Sequence, residues 1–373
     1  MTQYWRAIYM KKNDVNILDI GVYGLATVIR LIEVRVNYDI VQTVSKQESK
    51  TKQVEGLKSA TKGFALNLRT NRAENKAIKL DLISKRKKQW LDLWCEKAWQ
   101  ALSQVGHSDI TIDLRNKSLQ QLLNALSSNE ETRIKLFLVL QEAVLTDVYG
   151  NIEGFSDRNL SEHSVKKSCE LIADQCGFSP SVGNKILQDA GSFFKGVTGY
   201  YKKITTWTLA GTIAMLVTAG LAAPAIATTI GGIMGFHGAA AYTAGLAFIG
   251  TGSIAAGGLG MAGGLQILTL GGFILGLAGT PGLVKTLLGI KKEAIYLEMA
   301  KIINYASYLK SIDKKSVTVN ETLNQLINQF ITFKHSYEKD VFWENLSNKD
   351  LNEAKKYIRT IHYTYEYLVD KIR

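Results

Sequence analysis

Apolar residues recur at spacings of three and four along most of the chain, and no strand-rich segment interrupts them, so the pattern predicts helices. Ile17 to Val36 is moderately apolar, but Asp19, Arg30, Glu33 and Arg35 break it up, which predicts an amphipathic helix rather than a membrane span. Lys46 to Lys88 is polar and basic with helical spacing of its few apolar residues. It runs through Lys85-Arg86-Lys87-Lys88 into Trp90, Leu91 and Trp94, which share one helix face. Arg133 to Val148 has a strong apolar face and stops at Tyr149-Gly150-Asn151, where glycine can end a helix. Ser161 opens the next helix with Glu162 in its first turn, and Ser181 to Leu187 continues the pattern. Past the middle of the chain, Lys285 to Lys310 predicts one long amphipathic helix, and Asn320-Glu321 opens another that reaches Phe333 and Tyr337. Ser347-x-x-Asp350 is a capping-box variant starting a last helix that ends near Ile372, with Tyr357, Ile361, Tyr365 and Leu368 on one face.

The stretch between Lys203 and Lys285 breaks this rhythm, because it contains no Asp, Glu, Lys or Arg. A bilayer-spanning helix needs roughly 20 apolar residues, so the stretch has room for two to four spans. The candidates are Trp207 to Ala223, closed by Pro224; Ala225 to Ala241; Tyr242 to Ala256; and Leu259 to Ala278, before Thr280-Pro281-Gly282. More than half of the 32 glycines lie here. In water each glycine weakens a helix by roughly 1 kcal/mol relative to alanine, whereas in lipid small residues let helices pack closely. Gly231-x-x-x-Gly235, Gly260-x-x-x-Gly264 and Gly272-x-x-x-Gly276 have the spacing for that packing. His237 is the one readily ionisable residue inside the stretch. It is open to two readings: a pore-lining or pH-sensing group, or a neutral histidine at a loop or interface. Lys202 and Lys203 stand before the stretch and Lys285, Lys291 and Lys292 after it, which places both ends on the cytoplasmic side.

The formal net charge of +12 therefore belongs to the flanks and favours an anionic partner. Beside a membrane segment that partner is expected to be an anionic lipid bilayer, with nucleic acid ranked last. A second copy of the chain or a partner protein is also expected. The Trp90 stripe next to its basic run has three open uses: packing in a bundle, docking on lipid or stacking on nucleic acid. Cys95, Cys169 and Cys176 are too few and scattered for a disulfide framework. The N-terminal residues lack the pattern of a signal peptide.

The segment from Leu221-Ala-Ala-Pro-Ala-Ile-Ala through Gly257 to Gly264 resembles the Gly/Ala-rich membrane domains of the interferon-alpha-inducible small-protein family and the glycine-zipper hairpins of bacterial membrane-damaging proteins. That resemblance implies membrane perturbation and cell death. Val139 to Ile152, followed by Leu160 to Ile172 and Gly177-Phe178-Ser179, resembles the tellurite-resistance B-like helical fold, with Asp147, Gly150 and Ile152 matching its inter-helix turn. This second likeness implies a helical module associated with membrane stress and a cation near Asp147.

No P-loop, no GxGxxG between a strand and a helix, no GxSxG and no HExxH occurs, His107, His163, His237, His335 and His362 do not cluster, and no carboxylate stands in a sequence context that would raise its pKa. Catalysis, cofactor and metal sites are not expected. The expected fold is all-α, with helical-bundle flanks around a central Gly/Ala-rich transmembrane or membrane-inserting module. The expected divisions are a basic amphipathic region at 1–117, a small helical domain at 118–203, the membrane module at 204–284 and C-terminal amphipathic helices at 285–373. The expected function is a membrane-perturbing or pore-forming effector of the toxin or phage-defence type, resident in a bacterial inner membrane. The alternatives are a soluble, secreted α-helical pore former with a sequestered apolar segment, and a non-catalytic membrane-anchored scaffold.

Overall fold

The computed structural model describes residues 20–59, 64–105, 108–127, 130–146, 148–149, 162–198, 237–249, 273–279, 282–289, 292–312 and 316–372. All regular structure among them is helical, as the apolar spacing predicts. The helices are α1 (Gly21–Lys58), α2 (Phe64–Val105), α3 (Ser108–Asn116), α4 (Leu119–Leu126), α5 (Glu130–Leu145), α6 (Glu162–Gln175), α7 (Ser181–Thr198), α8 (Ala239–Ile249), α9 (Phe273–Gly276), α10 (Leu283–Leu288), α11 (Lys292–Ser311), α12 (Val317–Trp343) and α13 (Asn348–Glu366). A wider π-helical turn, Tyr367–Ile372, continues α13.

Three boundaries follow from side chains legible in the sequence. Ser118 caps α4 in a reciprocal capping box with Gln121. Ser347 accepts a hydrogen bond from the Asp350 N–H and donates one to its carboxylate at 2.7 Å, which starts α13. Ser316 caps α12 by accepting from the Val319 N–H, so that helix opens three residues before the expected Asn320. The single helix expected over Lys285 to Lys310 is two, α10 and α11, with α10 ending on Gly289. Glycine costs a helix roughly 1 kcal/mol relative to alanine, enough to favour a break where packing changes direction.

α1 and α2 form a long antiparallel hairpin, 38 and 42 residues in length. The first half of α1 buries Leu25, Ala26, Val28, Ile29, Leu31 and Ile32, and α1 packs on α4, α5 and α6. Its seam with α2 takes Trp90 and Trp94, whose rings stack at 5.8 Å inside the core. Of the three uses open to that stripe, bundle packing is the one observed.

The centre of the bundle is α11. Every residue from Ile295 to Ala306 is buried, as suits a helix enclosed on all sides. It packs on α5, α7, α12 and α13, and one contiguous apolar core runs from Ile20 to Leu368. An enclosed helix has no solvent face for polar side chains, so Glu298, Lys301 and Asn304 must find partners inside.

Candidate membrane-contacting site

Most of the charge-free stretch lies outside the described residues. Of the positions singled out in the sequence, Trp207, Pro224, Gly231, Gly235, Gly260, Gly264 and Gly272 fall there, as do Lys202, Lys203 and Lys291. Asp147, Gly150 and Ile152 of the expected inter-helix turn do so too. Four are described. His237 is exposed just before α8, Gly276 is half-buried in α9, Lys285 is half-buried in α10, and Lys292 is exposed at the start of α11. The structure does not bring these four together into one site. α8 straddles the boundary drawn between the second and third candidate spans, since Ala239–Ile249 forms one continuous helix. Among the described residues no helix is long and apolar enough to cross a membrane.

The described ends of the stretch are held against the bundle. α9 and α10 pack on α12, and α10 also on α13. Leu246, Ile274, Leu275, Leu277, Leu283, Val284 and Leu287 belong to the common core. Two polar contacts fix α10 from the last turn of α12. The Asp340 carboxylate accepts a hydrogen bond from the Val284 N–H at 2.9 Å, satisfying an otherwise orphaned donor of the first helical turn. Lys285 pairs with Glu344 at 2.6 Å, with both side chains partly exposed.

Beside this junction, at the end of α12, stand two exposed aromatic residues. Phe342 is 78% and Trp343 73% exposed, and their rings meet edge to face at 5.1 Å. Aromatic residues with this freedom are the type that settles at a membrane–water boundary. The sequence reading missed them because they lie outside the charge-free stretch, on a helix that otherwise reads as ordinary bundle.

A buried charge cluster joins α11 to α5. Lys301 of α11 donates to Glu142 of α5 at 2.8 Å and to Glu298 one turn earlier at 3.0 Å, with all three side chains almost wholly enclosed. Burial raises the Glu142 carboxyl; Lys301 pulls it down, Glu298 pushes it up, and the outcome is a rise from 4.5 to about 7. Burial opposes the Lys301 charge, but the two carboxylates hold its pKa above the ordinary value. This corrects the expectation that no carboxylate has a raised pKa. Neither residue's neighbours in sequence hint at it, because the partners are 159 positions apart.

A second cluster sits midway along the α1–α2 hairpin. Lys87, one of the four basic residues preceding the Trp stripe, is buried and paired with Asp39 at 2.5 Å. Lys87 also donates to Thr43 at 2.9 Å, and Tyr149 donates to Asp39 at 2.9 Å. Burial, with the Asp39 charge and hydrogen bond, pushes the Tyr149 hydroxyl well above the usual phenol range. Arg35 donates to the carbonyls of Ala143, Val144 and Thr146, closing the C-terminal end of α5. Among the described residues no group of His, Cys, Asp or Glu has the arrangement of a metal site. The three cysteines are free thiols.

Comparison with known protein families, curated proteins and solved structures gives no match to this chain.

Proposed function

We propose that the chain is a membrane-perturbing effector whose helical bundle holds and regulates a Gly-rich segment that acts on a lipid bilayer. The observation that carries this reading is the charge-free, glycine-rich stretch between Lys203 and Lys285. Small residues spaced for close helix packing and the absence of charge suit hydrocarbon better than water. The tethering of α10 by Asp340 and Glu344, beside exposed Phe342 and Trp343, supports a junction at which bundle and bilayer meet. Toxin and abortive-infection roles both fit such a molecule.

One observation favours a second reading, a pore former that hides the segment until it meets a target membrane. Leu246, Ile274, Leu275 and Leu277 of the stretch are packed in the same core as the flanking helices. A resident membrane protein would have less reason to place them there.

The test is induced expression in a bacterium, following membrane potential while cells are fractionated with and without carbonate washing. Carbonate-resistant protein with rapid depolarisation, both lost on deleting Trp207 to Gly282, is the expected result. Carbonate-soluble protein that depolarises membranes only when added from outside would favour the sequestered form. Soluble protein that leaves the potential intact in both settings would overturn both readings.

A further inference from the structure

Beyond Thr43 and Lys87, the α1–α2 hairpin continues as a two-helix arm with little buried surface. On α1 from Val44 to Lys58 only Val54 is buried, and among the described side chains of α2 before Lys87 only Ala73 is. At 1.5 Å per residue the arm reaches about 20 Å past its buried base. Lys58 and Glu74 pair at 2.5 Å near the tip. Such a thin seam contributes little burial to the fold, so the arm's outward surface calls for a purpose other than packing.

The outward surface of α2 is segregated into rows. Arg69, Arg72, Lys76 and Lys79 follow one another at steps of three, four and three, with Arg86 extending the line. All five are exposed, and the first four have no ion-pair partner among the described residues. Next to this row runs an exposed apolar one: Leu68, Ile78, Leu82 and Leu93, at 46%, 60%, 56% and 46% exposure. The spacings of ten, four and eleven bring all four to one face, with Asn71, Asn75 and Gln89 between them. The acidic residues Glu74, Asp81 and Asp92 lie on the opposite flank.

We propose that this face of α2 is a docking surface for an anionic lipid bilayer. The proposal shares its partner class with the reading above and rests on it only for the presence of a bilayer; the residues are different. A row of cations beside a row of aliphatic side chains matches a membrane interface, where headgroups take the charge and acyl chains the Leu and Ile. A second copy of the chain would bring two basic rows together, which charge repulsion opposes. Single-stranded nucleic acid is read by stacking on aromatic rings, and this face offers aliphatic residues and asparagine in their place.

The arm can be watched separately from permeabilisation. In the full-length chain carrying Cys95→Ser, Ile78→Cys is labelled with an environment-sensitive fluorophore and mixed with vesicles of phosphatidylcholine, with or without phosphatidylglycerol, that contain a trapped dye. The expected result is a blue shift, quenched by brominated lipid, with the anionic vesicles only. Changing Arg69, Arg72, Lys76 and Lys79 together to Gln should weaken the response roughly tenfold or more, with helicity unchanged by circular dichroism. A blue shift without dye release supports the arm and counts against the effector reading. Dye release without a blue shift at position 78 overturns the arm and leaves the effector reading standing. An equal response to neutral vesicles, or to a short DNA duplex, also overturns the proposal.

Discussion

Lys301 and Glu142 form an ion pair at 2.8 Å that ties α11 to α5 across 159 residues of sequence, at a point where neither side chain reaches water. Because Glu298 shares the same ammonium, removing Lys301 strands two carboxylates. Lys301→Met should cost about 3–5 kcal/mol in urea unfolding. Replacing all three charges by apolar residues of similar volume should recover most of that loss. A single Lys301→Met that unfolds like the parent would show that the cluster is wetter than its burial implies.

Glu142 makes stability depend on pH in a specified direction. Its folded pKa is raised from 4.5 to about 7, so the folded state binds the proton more tightly than the unfolded chain. Its contribution is complete below about pH 4.5 and is lost as pH rises through about 7. Glu338 and Glu353 have lowered values, so their contributions fade only on acidification below 4.5. Tm measured from pH 5 to 8 should fall more steeply for the parent than for Glu142→Gln. Parallel slopes would rule out Glu142 as the titrating group.

Gly183 and Gly196 stand in the first and last turns of α7, yet they predict different costs. A Cβ at Gly183 would lie 2.3 Å from the Cys169 carbonyl oxygen, a backbone atom that can yield only if α6 and α7 separate. A Cβ at Gly196 would meet the hydroxyl end of Tyr363, a partly exposed side chain able to swing away. Gly183→Ala should lose about 1–3 kcal/mol, and Gly196→Ala should be near neutral, since alanine favours helix by roughly 1 kcal/mol. Chemical denaturation of the two variants decides this, and equal losses would contradict it.

Much of the fold was legible because it is local. The cap at Ser347, the buried Trp90 face and the Glu162 helix start each depend on residues within one or two turns. The buried partners were not legible. Lys87 looks like its neighbours Lys85, Arg86 and Lys88 in a basic run, and only the α1–α2 register turns it inward onto Asp39. Arg35, which marked α1 as unsuited to lipid, closes the carbonyl end of α5. Of the candidate site, sequence shows the charge-free stretch, whereas Asp340, Glu344, Phe342 and Trp343 join it only through the packing of α12.

Gln141 is wholly buried, and neither its amide nitrogen nor its oxygen has a hydrogen-bond partner among the described residues. Leaving both unpaired is costly, so Gln141→Met should be neutral or stabilising by about 1 kcal/mol. A loss of more than about 2 kcal/mol, in the range for leaving a buried polar partner unsatisfied, would indicate that the amide is bonded in solution.

The α10 tether predicts a local effect. Asp340→Ala with Glu344→Ala removes the N-terminal cap of α10 and its ion pair, a loss of roughly 1–2 kcal/mol in line with other helix caps. Hydrogen exchange over Leu283 to Leu288 should accelerate about tenfold while exchange in α5 stays unchanged. Uniform acceleration would mean that the tether supports the whole bundle.

The enclosure of α11 also sets an order of events during synthesis. Its partner surface on α5 leaves the ribosome 159 residues before Lys301 does, an interval of about 8–30 s at common elongation rates of roughly 5–20 residues per second. Throughout that time Glu142 has no cation, and the apolar face awaiting α11 has no cover. The glycine-rich stretch emerges within the same interval, ahead of the helix that closes the bundle. Whatever first meets that uncovered surface, whether a chaperone, a bilayer or the chain's own C-terminal helices, competes for the nascent protein before it has finished folding.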